Sequence, residues 1–558
     1  MAARLPGISG SGANPADSSQ AAEGNISGLP LEDQHTSLQS MFSFPAMLGT
    51  LLVGFVFIVR RGFEVDPDFW WHLKVGERIL VTHRWPVTDP YSFSAAGQPW
   101  IASEWLGDVL FAGVERVAEF RGLEALLIVL SAAVLLGLYA LATMRSGNAK
   151  ASFVTSALLL VLALPVLSMR PQMLGYLFLI LTLIALTRFR QGHRGSLWFL
   201  PLLFLLWINT HGSWVLGLGT IFVYWVSGLK EMHFGSVELH KWTAADRQRL
   251  SFVFLLCLAV LPLTPYGTRL ATYPFQYASL PINIQSIHEW QPMPFNLPGG
   301  EFFLAVILLS FTAQLLFELT WRLEELALFF FGAFMAFLHV RFILLFVPFY
   351  APLGATVLAR WVPGYERKKD LYFVNAFLML SMVSAMVKYF PSQAAIEQTI
   401  NSRSPAGAVE FLRLHPLSGP MFNSYGFGGY LVWAQGPEMK VFIDGRGDLY
   451  ENTGVLADYL HVNLLKPGAL EVLSHYGIQT CLLERNEPFA NTLAVLPEWE
   501  DVYHDELSVL YVQRNASGPA GTPSVRDAIV SSIKPGNFPI VRLSAAQTRH
   551  QDLRSGNR

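Results

Sequence analysis

Trp207-Ile208-Asn209-Thr210-His211-Gly212-Ser213-Trp214 lies in the middle of the apolar run 197–229, and its reading decides the fold. One membrane crossing needs roughly 20 apolar residues. The 33 residues of this run form either one long helix or a tight hairpin of two, broken at Asn209–Ser213. Further apolar stretches lie at 41–59, 123–143, 151–168, 173–187, 250–264, 301–320, 326–338, 342–359 and 371–388. Take the N-terminus as cytoplasmic and count the run twice. The inner loops then carry fourteen Lys and Arg, and the short outer loops carry three, Arg170, Arg269 and Arg341. Counted once, the basic clusters at 230–249 and 360–369 would fall outside, against the tendency of Lys and Arg to stay on the cytoplasmic side. The expected fold is an α-helical polytopic membrane protein of about eleven transmembrane helices, N-terminus in and C-terminal domain out. The loop 60–122 carries seven Lys or Arg and still falls outside. It is near the length at which charge stops governing translocation.

Composition agrees with a membrane chain. Of 558 residues, 52% are hydrophobic and only 14% are charged, where soluble domains average roughly 25% charged. The net charge of −2 excludes a bulk basic footprint for nucleic acid. Two isolated cysteines, Cys257 and Cys481, give neither a disulfide framework nor a cysteine metal site. Residues 1–40 are rich in Ser, Gly, Ala and Asn and are expected to be disordered. They lack a basic signal-peptide start, so Met41–Val59 is expected to stay as the first anchor. The remaining divisions are a transmembrane region at 41–390, with its first outer loop at 60–122, an α/β domain at 400–514 and a polar tail at 515–558.

The first outer loop is patterned. Its acidic stretch is Glu64-Val65-Asp66-Pro67-Asp68. Asp66-Pro67 reads as a helix N-cap followed by proline at the first helical position. Phe69, Trp70, Leu73, Glu77 and Leu80 then follow at helical spacing. After the turn Thr88-Asp89-Pro90-Tyr91, a second amphipathic helix is expected from Ser103, with Glu104 and Asp108 on one face. Asp66 and Asp68 have two readings. Carboxylates so spaced share a divalent cation, or raise one another's pKa so that one becomes a base. Alternatively Asp66 caps the helix and Asp68 complements its dipole.

Ionisable groups near spans are functional candidates. Arg170, Asn209, His211, His339 and Arg341 all fall on the outer side, as does the loop 265–300 with Tyr266, Arg269 and His288-Glu289-Trp290. Such a set suits chemistry with a phosphate leaving group, because arginine binds phosphate oxygens bidentately. Singly, Arg170 and Arg341 could instead snorkel to the interface, and His211 could cap a bend.

Beyond residue 400 the pattern changes. Ala406–Leu414, Asp458–Leu465 and Pro467–His475 read as helices. Tyr430–Trp433, Lys440–Ile443, Cys481–Leu483 and Val509–Val512 read as strands. The glycine-rich stretch 422–430 lacks GxGxxG order and a Walker lysine, so it is no nucleotide loop. Asp444-Gly445-Arg446-Gly447-Asp448 is either a ligand-binding strand end or a tight turn held by an Asp–Arg pair.

This layout resembles the GT-C superfamily of membrane glycosyltransferases, which includes protein O-mannosyltransferases, aminoarabinose and mycobacterial arabinose transferases, and oligosaccharyltransferase catalytic subunits. More narrowly, several motifs are similar to an uncharacterised bacterial branch of GT-C-like proteins. They are Asp66-Pro-Asp-Phe-Trp-Trp-His-Leu73, Asp89-Pro-Tyr-Ser-Phe93, Asn209-Thr-His-Gly212, Pro265-Tyr-Gly267, His288-Glu-Trp290, Gly428-Gly-Tyr-Leu431 and Phe442-Ile-Asp-Gly-Arg446. The resemblance covers about residues 45–512.

The resemblance implies a polyprenyl-phosphate-linked sugar donor held among the spans and an acceptor glycosylated on the outer face of a bacterial inner membrane. It assigns the catalytic carboxylate to Asp66 and Asp68, which would also hold Mg or Mn if a metal is used. Donor-phosphate or substrate binding falls to Arg170, His211, Arg341, His72 and Glu289. Glu289 matches the outer-loop glutamate of oligosaccharyltransferases, with different flanking residues. Phe422-Asn-Ser-Tyr-Gly426 lacks the aspartate and both tryptophans of their acceptor motif, so peptide recognition is not implied. Two other classes stay open: a transporter or flippase of a lipid-linked or anionic substrate, and a non-catalytic envelope protein.

Overall fold

The computed structural model describes residues 37–62, 66–164, 167–317, 319–417, 419–435 and 439–514. Glu64 and Val65, most of the segment 1–40 and the tail 515–558 lie outside the described residues.

Each apolar stretch forms a helix: Phe44–Arg60, Trp105–Ser146, Ala149–Ala163, Gln172–Arg190, Leu200–Ile208, Trp214–Ser227, Ala244–Ala259, Pro298–Phe317, Leu323–Leu338, Ile343–Leu358 and Tyr372–Lys388. Four segments, Trp105–Ser146, Gln172–Arg190, Pro298–Phe317 and Val340–Leu358, are long and apolar enough to cross a membrane. Tyr372–Lys388 continues into Gln393–Arg403 across a 62° bend as a further candidate. The molecule is a mostly helical membrane protein.

The run 197–229 is a pair of helices, and its polar break satisfies itself. Trp207 Nε1 donates to Ser213 Oγ at 2.9 Å, and the Ser213 amide donates to His211 Nδ1 at 3.1 Å. Thr210 Oγ1 bonds back to the Leu206 carbonyl at 2.7 Å, and Asn209 Nδ2 to that of Leu205 at 2.8 Å. The chain therefore turns without stranding backbone groups away from water.

The first loop is built around the helix Pro67–Thr82. Asp66 caps it: Oδ1 accepts from the Asp68 amide at 2.9 Å, and Pro67 occupies the first turn. This loop helix lies on the start of Trp105–Ser146. Contact is so close at Gly76 that a Cβ there would stand 2.0 Å from the Asp108 carbonyl oxygen. The loop helix expected from Ser103 and the span expected at 123–143 are both present in Trp105–Ser146, as two helices that meet at a kink at Glu119, where φ is 54° and ψ is −156°.

Beyond residue 400, a four-stranded sheet has the order Met421–Asn423, Thr480–Glu484, Ser508–Gln513, Trp499–His504. The first pair is parallel and the others antiparallel. Two strand expectations are corrected. Tyr430–Trp433 belongs to the helix Tyr425–Gln435, whose Tyr430 and Trp433 rings stand 5.0 and 4.8 Å from that of Trp70. Its aromatic residues look like a strand but face a helix, and tertiary packing overrides propensity. Lys440–Ile443 is not in the sheet. Val441 forms an isolated parallel bridge with Ser92, with the Val441 amide donating to the Tyr91 carbonyl at 3.1 Å. The first loop and the C-terminal portion consequently share one core, in which Val75, Ile79 and Trp100 pack with Phe422, Phe442 and Leu482.

Candidate active site

Arg170 is the centre of the arrangement. It precedes the helix Gln172–Arg190 and reaches carboxylates from two other segments. Its Nε donates to Asp66 Oδ2 at 2.6 Å, its Nη2 stands 3.1 Å from Asp68 Oδ2, and its Nη1 donates to Glu289 Oε1 at 3.2 Å. Glu289 comes from the short 3-10 turn His288–Trp290. One cation thus faces three carboxylates, two of them partly exposed: Asp68 at 22% and Glu289 at 33%.

The two aspartates are not equivalent. Both oxygens of Asp66 are committed, one to the helix cap and one to Arg170. Asp68 holds Arg170 by a longer contact and is more open. Burial is the main reason its pKa rises to about 6; the Arg170 charge opposes this, while those of Asp66 and Glu289 add to it. A carboxylate in that range is a competent base near neutral pH.

Asp68 is shaped from a third side by the Asp444–Asp448 turn. A Cβ on Gly445 would fall 1.7 Å from Asp68 Oδ1. The turn is held by a buried ion cluster. Arg446 donates from Nε to Asp444 Oδ1 at 2.8 Å, from Nη2 to Asp444 Oδ2 at 2.6 Å, and from Nη1 to Asp89 Oδ1 at 2.5 Å. Tyr450 adds its hydroxyl to Asp444 at 2.9 Å. This is the Asp–Arg turn, and its partner Asp89 comes from the first loop.

Arg341 sits in the turn Val340–Phe342, its guanidinium carbon 4.4 Å from the Trp290 ring centroid. Among the described residues no carboxylate pairs with it, which leaves it available to an anion. His211 and His72 both meet Glu104, at 3.4 and 3.5 Å. His72 is almost fully buried, at 3%, and bonded to Asp108 at 2.6 Å. The seven residues singled out in the sequence therefore gather around one region.

Sequence reading passed over Tyr273 and Tyr277, and read Asp448 only as the end of the Asp444–Asp448 turn. Tyr273 and Asp448 act on each other electrostatically, and the Asp448 carboxyl is pushed up chiefly by burial. Tyr273 and Tyr277 are one helical turn apart in Thr268–Tyr277, a spacing that could have flagged them.

For a divalent cation, the fit is poor. The face between Asp66 and Asp68 is filled by the Arg170 guanidinium. Among the described residues, no three His, Cys, Asp or Glu side chains converge as metal ligands.

No family model matches the chain. No curated protein matches it either. Solved structures do. The chain is similar to ArnT from Cupriavidus metallidurans in the apo state, with TM-score 0.48 and 12% identity over 83% of this chain and 96% of that one. It is similar to the arabinofuranosyltransferase AftD from Mycobacteria, with TM-score 0.48 and 12% identity over 83% and 39%. It is also similar to the Archaeoglobus fulgidus oligosaccharyltransferase tethered to an acceptor peptide, with TM-score 0.44 and 12% identity over 80% and 70%. These structural neighbours are GT-C glycosyltransferases.

Proposed function

We propose that the chain is a GT-C-type glycosyltransferase of a bacterial inner membrane, taking a sugar from a polyprenyl-phosphate donor on the outer face. In this reading all eleven apolar helices cross or line the membrane, the N-terminus is cytoplasmic, and the first loop and C-terminal portion lie outside. The observation that carries it is the Arg170 cluster. One guanidinium holds Asp66 and Asp68 in place from a helix start, beside a second arginine, Arg341, that has no carboxylate partner among the described residues.

Asp68 is the base. It removes the proton of an acceptor hydroxyl or amide as that group attacks the anomeric carbon. The bond from that carbon to the phosphate oxygen breaks, and the departing polyprenyl phosphate takes the electron pair. Arg341 meets the growing phosphate charge, an interaction stronger in the transition state than before it. Asp66 and Glu289 hold Arg170, which keeps Asp68 ionised enough to act. The protein's own residues account for both the proton and the charge.

The test is reconstitution of the purified protein in liposomes with lipid-linked, radiolabelled sugar extracted from native membranes, plus native membrane acceptors. The expected result is labelled acceptor together with free polyprenyl phosphate. Label crossing the bilayer with the donor intact would overturn the reading in favour of a transporter.

A further inference from the structure

Beside the Arg170 cluster lies a second set of titratable groups that the proposed reaction does not use. Asp108 is fully buried, with Oδ1 2.6 Å from His72 Nδ1 and Oδ2 without a partner among the described residues. On the other edge of the imidazole, His72 Nε2 stands 3.5 Å from Glu104 Oε2. The second oxygen of Glu104 stands 3.4 Å from His211 Nε2. Asp108, His72, Glu104 and His211 thus form an unbroken string. It draws on the loop helix, the start of the helix Trp105–Ser146 and the break at 209–213. His72 follows Asp68 by four residues on the loop helix, so both lie on one face.

The hydrogen-bond partners of His211 fix its tautomer. Trp207 donates to Ser213 Oγ, the Ser213 amide donates to His211 Nδ1, and Ser213 Oγ stands 2.8 Å from the same nitrogen. His211 therefore carries its proton on Nε2 and donates toward Glu104. Burial and the Arg341 charge bring its pKa down to about 3, so it stays neutral. His72 is likewise held neutral, by burial and then by Arg170 and His211. With the proton of the short His72–Asp108 hydrogen bond on Nδ1, Nε2 is an acceptor facing Glu104. Glu104 thus has a donor on one oxygen and an acceptor on the other. It is 21% exposed, the most open member of the string. Arg341, Arg170, Asp68, Asp448 and Tyr273 also act on it, while Tyr91 and Tyr266 face Asp108.

We propose that Glu104, His72 and Asp108 are a proton relay for this site. Glu104 takes a proton from the site on one oxygen and passes its own proton from the other to His72 Nε2. In the same step His72 gives its Nδ1 proton to the Asp108 carboxylate and stays neutral. Distances of 3.4 and 3.5 Å are within the range that tightens when substrate binds. The relay disposes of the proton released by glycosyl transfer, so its purpose rests on the proposed function, but its existence does not.

Infrared difference spectroscopy on the full chain in lipid separates the two. The wild type is expected to show a protonated-carboxyl band at neutral pH that is lost as pH rises through about 8, the range to which burial pushes Glu104. The band should vanish in Glu104→Gln and persist in Asp68→Asn. In His72→Gln and Asp108→Asn its midpoint should move by a unit or more, which a merely structural carboxyl would not do. If Glu104→Gln fails to insert, the last two variants decide alone. If the component that titrates near 8 survives Glu104→Gln, or its midpoint is unmoved in both His72→Gln and Asp108→Asn, the relay is overturned whatever the transfer assay gives. A relay that passes these tests in a protein that transfers no sugar overturns the proposed function instead.

Discussion

Gly445 and Asp68 touch: a Cβ added to Gly445 would stand 1.7 Å from Oδ1 of Asp68. The glycine lies 377 residues further along the chain, yet it forms a wall of the proposed base. Gly445→Ala must displace either the carboxylate or the turn. Misplacing a catalytic group by about 1 Å costs roughly 100-fold in rate. The expected outcome is a kcat loss of that order with normal membrane insertion, read from single-turnover transfer and a protease-resistance check.

Arg446 holds the same turn from beneath. It is 2% exposed and bonds both Asp444 and Asp89. Removing one partner of a buried ion pair costs about 3–5 kcal/mol, because the other charge is left unpaired. Arg446→Ala should lose that much stability in denaturant unfolding of the full chain in detergent. Arg413→Ala, which breaks an exposed i,i+3 pair with Glu410, should lose less than about 1 kcal/mol.

These contacts also mark where sequence reading stops. The N-cap at Asp66 was legible because Asp-Pro is a local signal, and the helices were legible because each apolar run carries its own length. The hairpin at 209–213 was readable from loop charges. Arg446 and Asp89 are 357 residues apart, and Arg170 lies 104 from Asp66 and 119 from Glu289. No local spacing encodes such pairs. Lys440–Ile443 misled for the same reason: its pairing partner is Ser92, in the first loop. Tyr430–Trp433 has strand-like residues, but the face it must cover belongs to Trp70.

The pH profile should report Asp68. A base acts when ionised, and its pKa is raised to about 6. Transfer should therefore rise with pH and level off above about 6, with the proton lost on going up in pH. Removing a neighbouring negative charge lowers a carboxyl pKa. Glu289→Gln should accordingly move this limb to lower pH. The check is kcat/KM for the donor between pH 4.5 and 8 in both proteins.

Arg341 is the cation kept for phosphate. Hydrogen bonds to charged groups are worth about 1.5–3 kcal/mol, so Arg341→Gln should weaken transition-state binding by about 10-fold to 100-fold. Arg341→Lys should recover part of this, since it restores charge without the bidentate fork. Donor titrations under single-turnover conditions would show both effects.

The central claim is that Asp68 takes the proton while Asp66 builds the site. The most direct measurement compares Asp68→Asn and Asp66→Asn in transfer of labelled sugar from native lipid-linked donor, with donor binding measured alongside. Asp68→Asn should bind donor about as well as the wild type and lose transfer. Asp66→Asn, with its cap and its Arg170 contact weakened, should lose both stability and transfer. Full transfer by Asp68→Asn would contradict the claim outright.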